Sequence, residues 1–366
     1  MSDLPSESQS PLPLAGSGVT WRSLLAGGLV ALCISVGAPY SNMVLRGSYL
    51  ALDFSTAGAI FLFFLFIFII HTLLGLIHPR LAFRREELVV VYIMGIVGCS
   101  IPTMGLTEYL LPIISGVTYY ATPENEWAQL VHPYIPPWMV PQDMEAVKYF
   151  YEGAPRGYPL PWETWVTPLL AWVPFILAIY FSMICIIVML RRQWVMQERL
   201  TFPLVQVPLA MIEDGEKPSI LKPFFKSPLM WMGFALPFCI GSLRALHNYY
   251  NFIPTVTLSM AIPLFRNTTS QSITLSFPMV GFSYFVNLDI AFAIWFFNLL
   301  ARVQEGIFGI VGVTSSEKLY YAANFPVLAH EGMGAMLVLA IFGLWTARSH
   351  LGQVFRKAFR GNPEID

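Results

Sequence analysis

Residues 55–77 read STAGAIFLFFLFIFIIHTLLGLI, and this stretch decides the class of fold. Its one ionisable side chain is His71. An α-helix rises about 1.5 Å per residue and a bilayer core is about 30 Å thick, so roughly 20 mostly apolar residues cross it. Hydrocarbon offers the backbone no hydrogen-bond partner, which leaves a helix as the form such a run takes. Comparable runs extend from Trp21 to Leu45, Leu88 to Ile113, Trp165 to Leu190, Leu229 to Leu246, Leu288 to Val313 and Leu328 to Trp345. Residues 254–265 and 273–286 are apolar but short, and read as re-entrant, interfacial or irregular pieces. The pattern predicts an all-α, polytopic transmembrane helix bundle of about eight spans, with one or two broken or re-entrant segments.

Composition agrees. The chain has 366 residues, of which 56% are hydrophobic and 12% charged. Water-facing domains carry about a quarter charged residues, so this surface is made for lipid. A net charge of −1 gives no footprint for nucleic acid. Cys33, Cys99, Cys185 and Cys239 are far apart in apolar segments and read as buried small hydrophobes, with no metal-binding spacing among them. No cofactor is expected.

The layout follows from charge and aromatics. Residues 1–20 are Ser/Pro-rich and read as a disordered cytoplasmic tail. Residues 21–347 form the transmembrane domain. Within it, the loop 114–164 is rich in Pro, Trp and Tyr, which suits the headgroup layer. Its segment PQDMEAVKYFYEG reads as a short helix. Fourteen of the 21 bases fall on segments assigned inside, including the loop 191–228, and five on segments assigned outside. That bias predicts a cell-membrane protein with both termini in the cytoplasm. Residues 348–366 read as a cytoplasmic tail or a truncated linker to further spans, because GNPEID resembles the start of a polar connection between membrane halves.

Charges inside spans cost about 2.5–3.5 kcal/mol each on insertion scales, so they face protein or water. Glu108 stands in a glycine-rich segment after Pro102 and is the first candidate for a protonatable or substrate-facing group. Arg302 and Glu305 are three apart and can pair on one helix face. Asn287 and Asp289 lie between two apolar runs, where a chain break makes them either a helix cap or part of a solute site. The run Gly37–Ala38–Pro39–Tyr40–Ser41–Asn42 reads as an unwound or kinked stretch that brings Asn42 into the candidate set. His71 reads as an interfacial histidine, and Arg244, His247 and Asn248 as a snorkelling arginine with polar neighbours. Catalytic patterns are missing: Gly334 stands where a zincin motif starting at His330–Glu331 needs its second histidine. An enzyme is therefore not expected.

The segment Glu198–Arg199–Leu200–Thr201–Phe202–Pro203 resembles a stretch of the oligopeptide transporter (OPT) superfamily, in which Leu-x-Phe/Tyr-Pro opens a helix on the cytoplasmic side. Leu204 and Val205 stand where those proteins usually carry a small residue and a glycine. The wider layout, with YFYEG and PWETW in the outer loop and SYFVNLDIAFAIWFF later, resembles a family of bacterial multi-pass proteins distantly similar to that superfamily. The resemblance implies proton-driven uptake of peptides or metal chelates. The competing expectation is a non-transporting scaffold or anchor subunit of a larger complex. The expected partners are the lipid bilayer, a small solute or proton, and a second copy or second membrane half.

Overall fold

The computed structural model describes residues 19–41, 57–103, 105–200, 202–214, 220–313, 315, 317, 319 and 325–360. Among these, six helices are long and apolar enough to cross a bilayer. The chain is an all-α polytopic protein of largely helical segments, with one two-stranded hairpin among the described residues. It divides into two compact units: residues 1–136, 140–158 and 205–235, and residues 137–139, 159–204 and 236–366.

In the first unit, α1 (Trp21–Pro39), α2 (Ala57–Ile77) and α3 (Arg85–Ser100) make the core. Small residues let α1 and α3 touch. A Cβ on Gly98 would stand 2.6 Å from that of Ala31, and one on Gly27 would stand 2.5 Å from Met94 Sδ. Phe63, Ile67, Leu88 and Val91 are fully enclosed between these helices. The starts of α1 and α3 are tied together. Thr20 caps α1 and its hydroxyl donates to Glu87 Oε1 at 2.6 Å, while the Arg84 amide donates to Glu87 Oε2 at 2.9 Å. Both helices therefore begin at the same end, with α2 returning between them. Burial pushes the Glu87 carboxyl up, but the Thr20 hydroxyl, the Arg84 amide and the nearby Arg22 and Arg84 charges outweigh it and hold it below the usual carboxylate range.

Two expectations about broken helices meet different outcomes. α1 stays helical through Gly37 and Pro39, so no unwinding begins there, and Asn42 lies outside the described residues. The expected third span does break. α3 ends at Ser100 and α4 (Thr107–Tyr119) starts after a turn, where a Cβ on Gly105 would stand 2.5 Å from the Ser100 carbonyl oxygen. At 16 residues α3 is about 24 Å long, short of a full crossing. α4 packs instead with the loop helix α5 (Met144–Glu152), the one the sequence pattern marks. Their Tyr119 and Tyr151 rings stack at 4.0 Å, and Tyr151 Oη donates to the Pro112 carbonyl at 3.1 Å.

The second unit holds α6 (Trp162–Gln197), the later part of α8 (Pro228–Tyr249), and the helices α10 (Leu288–Val311) and α11 (Pro326–Thr346). The helix α7 (Pro203–Ile212), most of it in the first unit, precedes α8 in the chain and opens at Pro203. Where residues 254–265 and 273–286 suggest re-entrant pieces, the chain forms an antiparallel hairpin of β1 (Ser259–Leu264) and β2 (Thr269–Thr274), then the short helix α9 (Phe277–Tyr284). Ser259 pairs with Thr274 and Leu264 with Thr269. The turn holds three successive residues at positive φ, Phe265, Arg266 and Asn267. Eight residues make α9 about 12 Å long, so it cannot cross alone. A final helix, α12 (Arg348–Arg360), occupies most of what the sequence suggests is a tail. Of the cysteines only Cys99 is buried; Cys33, Cys185 and Cys239, expected to be buried, are exposed on their helices.

The lowered carboxyl of Glu87 sets a pH dependence. A carboxylate whose folded pKa lies below its unfolded value stabilises the fold above about pH 4 and loses that contribution as pH falls through the folded value. Glu87→Gln should cost roughly 1.5–3 kcal/mol near neutral pH. Its melting temperature in detergent, measured against pH, should converge on that of the unaltered protein below that range; a constant gap would remove the argument.

Candidate functional site

The site is built on one face of α10. At 3.6 residues per turn, Arg302, Glu305, Gly306 and Gly309 share a stripe along this helix. Arg302 Nη1 donates to Glu305 Oε2 at 2.5 Å, the local pair that the spacing predicts, and both side chains are half-buried. One turn further on, the hairpin covers the same stripe. A Cβ on Gly306 would lie 2.2 Å from Phe265 Cδ2, and one on Gly309 would lie 2.8 Å from Thr268 Cβ. No residue but glycine admits the hairpin this close.

Depth follows from the helical rise. With α10 centred on the bilayer, Arg302 lies about 4 Å and Glu305 about 8 Å past the midplane, and the hairpin turn meets the helix about 10–14 Å past it. All fall within the half-thickness of about 15 Å. Gln304, on the opposite face of α10, donates to Glu331 Oε1 of α11 at 2.5 Å. Glu331 comes about 7.5 Å before the midpoint of its own helix, which is the same level. His330 Nε2 pairs with Glu317 Oε2 at 2.9 Å beside it. With both helices so centred, these polar groups fall at one level.

The strand β2, Thr269–Ser270–Gln271–Ser272–Ile273–Thr274, is polar where a lipid-facing segment would be apolar. Thr269 is 7% exposed, and among the described residues its Oγ1 has no hydrogen-bond partner; nor has the buried Oε1 of Gln271. A buried polar atom left unmatched costs about 1–3 kcal/mol, so these two atoms are suited to a polar ligand or water in the seam between β2 and α10. The arrangement can hold a solute with an acceptor for Arg302 or a donor for Glu305, Thr269 and Gln271. It has no nucleophile–base pair.

The other sequence candidates separate. Glu108 is exposed in the first turn of α4, in the first unit, not deep within a continuous span. Asn287 and Asp289 are exposed at the start of α10, and Asn287 makes no side-chain cap. The break there is real, but its capping role is not. His71, expected at an interface, is buried, its Nδ1 accepting from the Phe83 amide at 3.2 Å. Sequence reasoning missed β2 and the buried Lys222, whose ammonium pairs with Asp214 at 2.5 Å. The alternation Thr255–Val256–Thr257–Leu258–Ser259–Met260 has period two and leads into β1, a signal that could have pointed to the hairpin though not to β2 itself.

A protein-family profile described as "Family of unknown function (DUF6785)" matches residues 13–366, so the chain is a multi-pass membrane protein belonging to that family. No curated protein and no solved structure matches it.

Gly306→Val should push the hairpin off α10 and destabilise the protein by roughly 1–3 kcal/mol. Gly281→Val, in α9 where a Cβ meets open space, should not. Melting temperatures of the two purified variants compare them; equal effects would mean that the contact at Gly306 does not hold the hairpin.

Proposed function

We propose that this protein is a membrane transporter whose solute path follows the seam between β2 and the Arg302 face of α10. One observation carries the reading. The polar strand β2 lies against the helix α10, and with that helix centred on a bilayer the contact falls within the hydrocarbon. Irregular backbone is tolerated there only where it is covered by protein or lines a water-filled cavity. The likeness of Glu198–Pro203 to the OPT superfamily adds the finer content, proton-coupled uptake of peptides or metal chelates. Glu305 and Glu331 are the acids at the shared level for proton exchange, with Glu108 and Asp289 at helix starts beside the membrane surface.

An orientation with both ends in the cytoplasm belongs to this reading. His350 donates to the Met189 carbonyl at 2.8 Å, so the basic helix α12 and the Arg191–Arg192 end of α6 share a side. Two basic segments on one side suit the inner face. A scaffold role has its own support in the faces of α6, α8 and α11, which are almost wholly uncovered and apolar. Lipid accounts for such faces equally well, whereas a scaffold needs no polar seam.

The test is a proton flux. Proteoliposomes loaded with a pH-sensitive dye should acidify when tripeptides or iron–chelate complexes are added outside. Arg302→Gln should slow this at least about ten-fold, the effect of losing about 1.4 kcal/mol of charge-assisted binding. Flux no greater than in protein-free vesicles across both substrate classes would refute the finer reading.

A further inference from the structure

The helix α12 is unlike the membrane-crossing helices. Its sequence RSHLGQVFRKAFR is basic, and no acid occurs between Glu331 and Glu364. At about 100° per residue, Leu351, Val354, Phe355, Ala358 and Phe359 occupy an arc of about 140°, and Gln353, Arg356 and Lys357 lie opposite within about 100°. Leu351 and Val354 are half-buried, but Phe355 is 52% and Phe359 83% exposed, their rings stacked at 6.4 Å. An aromatic pair this open in a basic helix needs a cover.

The position of α12 says what the cover is. Only Ala347 separates it from the spanning helix α11. The joint is fixed: Arg348 stacks over the Trp345 ring at 4.7 Å and donates to the Trp345 carbonyl at 2.7 Å. His350, itself buried, bonds to Met189, two residues before the Arg191–Arg192 pair that ends the apolar run of α6. The end of α6, with Arg191 and Arg192, and the end of α11 thus hold α12 where two apolar spanning runs stop.

We infer that α12 is an interfacial helix that docks on anionic phospholipid headgroups of the bilayer α11 crosses. Phe355 and Phe359 enter the acyl boundary, and Arg356 and Lys357 lie among the phosphates. This is the pattern of surface-bound amphipathic helices, in which apolar burial and attraction to anionic lipid act together. The inference does not depend on what the protein transports.

The full-length protein is reconstituted into nanodiscs of phosphatidylcholine alone or with about a third phosphatidylglycerol. An environment-sensitive dye is placed at Phe359→Cys in a chain whose four native cysteines are replaced. Its emission should shift to the blue with phosphatidylglycerol, and added salt should reverse the shift. Arg356→Gln and Lys357→Gln should each lower the docked-to-undocked ratio about five-fold. Amide exchange of residues 348–360 in the unlabelled protein checks the same point without a variant: protection should rise with anionic lipid. Emission and protection that ignore lipid charge and salt would overturn the inference. So would a blue shift that follows the number of protein copies per disc instead of its lipid, since a second copy would then be the cover.

Discussion

Hydrocarbon cannot accept or donate a hydrogen bond, and most of this structure answers to that fact. Where the chain is apolar it closes its backbone in long helices. Where it is not helical at depth, the free backbone and polar side chains must be met by other protein or by water. The hairpin against α10 is the point where this demand is sharpest. Its closeness to the helix rests on Gly306 and Gly309, whose missing side chains make room for Phe265 and Thr268. A glycine stripe, a paired arginine and a polar strand are therefore one feature with one cause.

The same constraint shapes the first unit differently. There the polar groups are matched locally, as in the contacts of Thr20 and Arg84 with Glu87 and of His71 with the Phe83 amide. Such bonds tie the starts of α1 and α3 together, while the aromatic rings of Phe64 and Phe225 pack in the same unit at 5.2 Å. The second unit keeps unmatched atoms at Thr269 and Gln271. Gln193 in α6 keeps one as well, so the difference lies between the units and not in the hairpin alone.

The class of fold was legible in runs such as residues 55–77, because length and apolarity alone decide whether a helix can cross a bilayer. The Arg302–Glu305 pair was legible too, since spacing on one helix needs no tertiary knowledge. Other features were not. β2 is short and polar, and its partner β1 is apolar enough to pass for a membrane piece, so only a weak period-two alternation marked the hairpin. The burial of His71 depends on residues 12 positions away folding back over it. Glu108 looked embedded because the apolar run continues through Pro102 and Gly105, yet the chain turns there and leaves it exposed. The family membership supplies no activity, so the chemistry rests on the seam itself.

Power-saturation electron paramagnetic resonance on a spin label at Ser270, in the protein reconstituted in lipid bilayers, addresses that seam most directly. A water-soluble nickel chelate should relax the label at Ser270 strongly, while a label at Phe181, on the uncovered face of α6, should respond to oxygen and not to nickel. A Ser270 label that answers only to oxygen, as Phe181 does, would place β2 in lipid or dry protein and contradict the account.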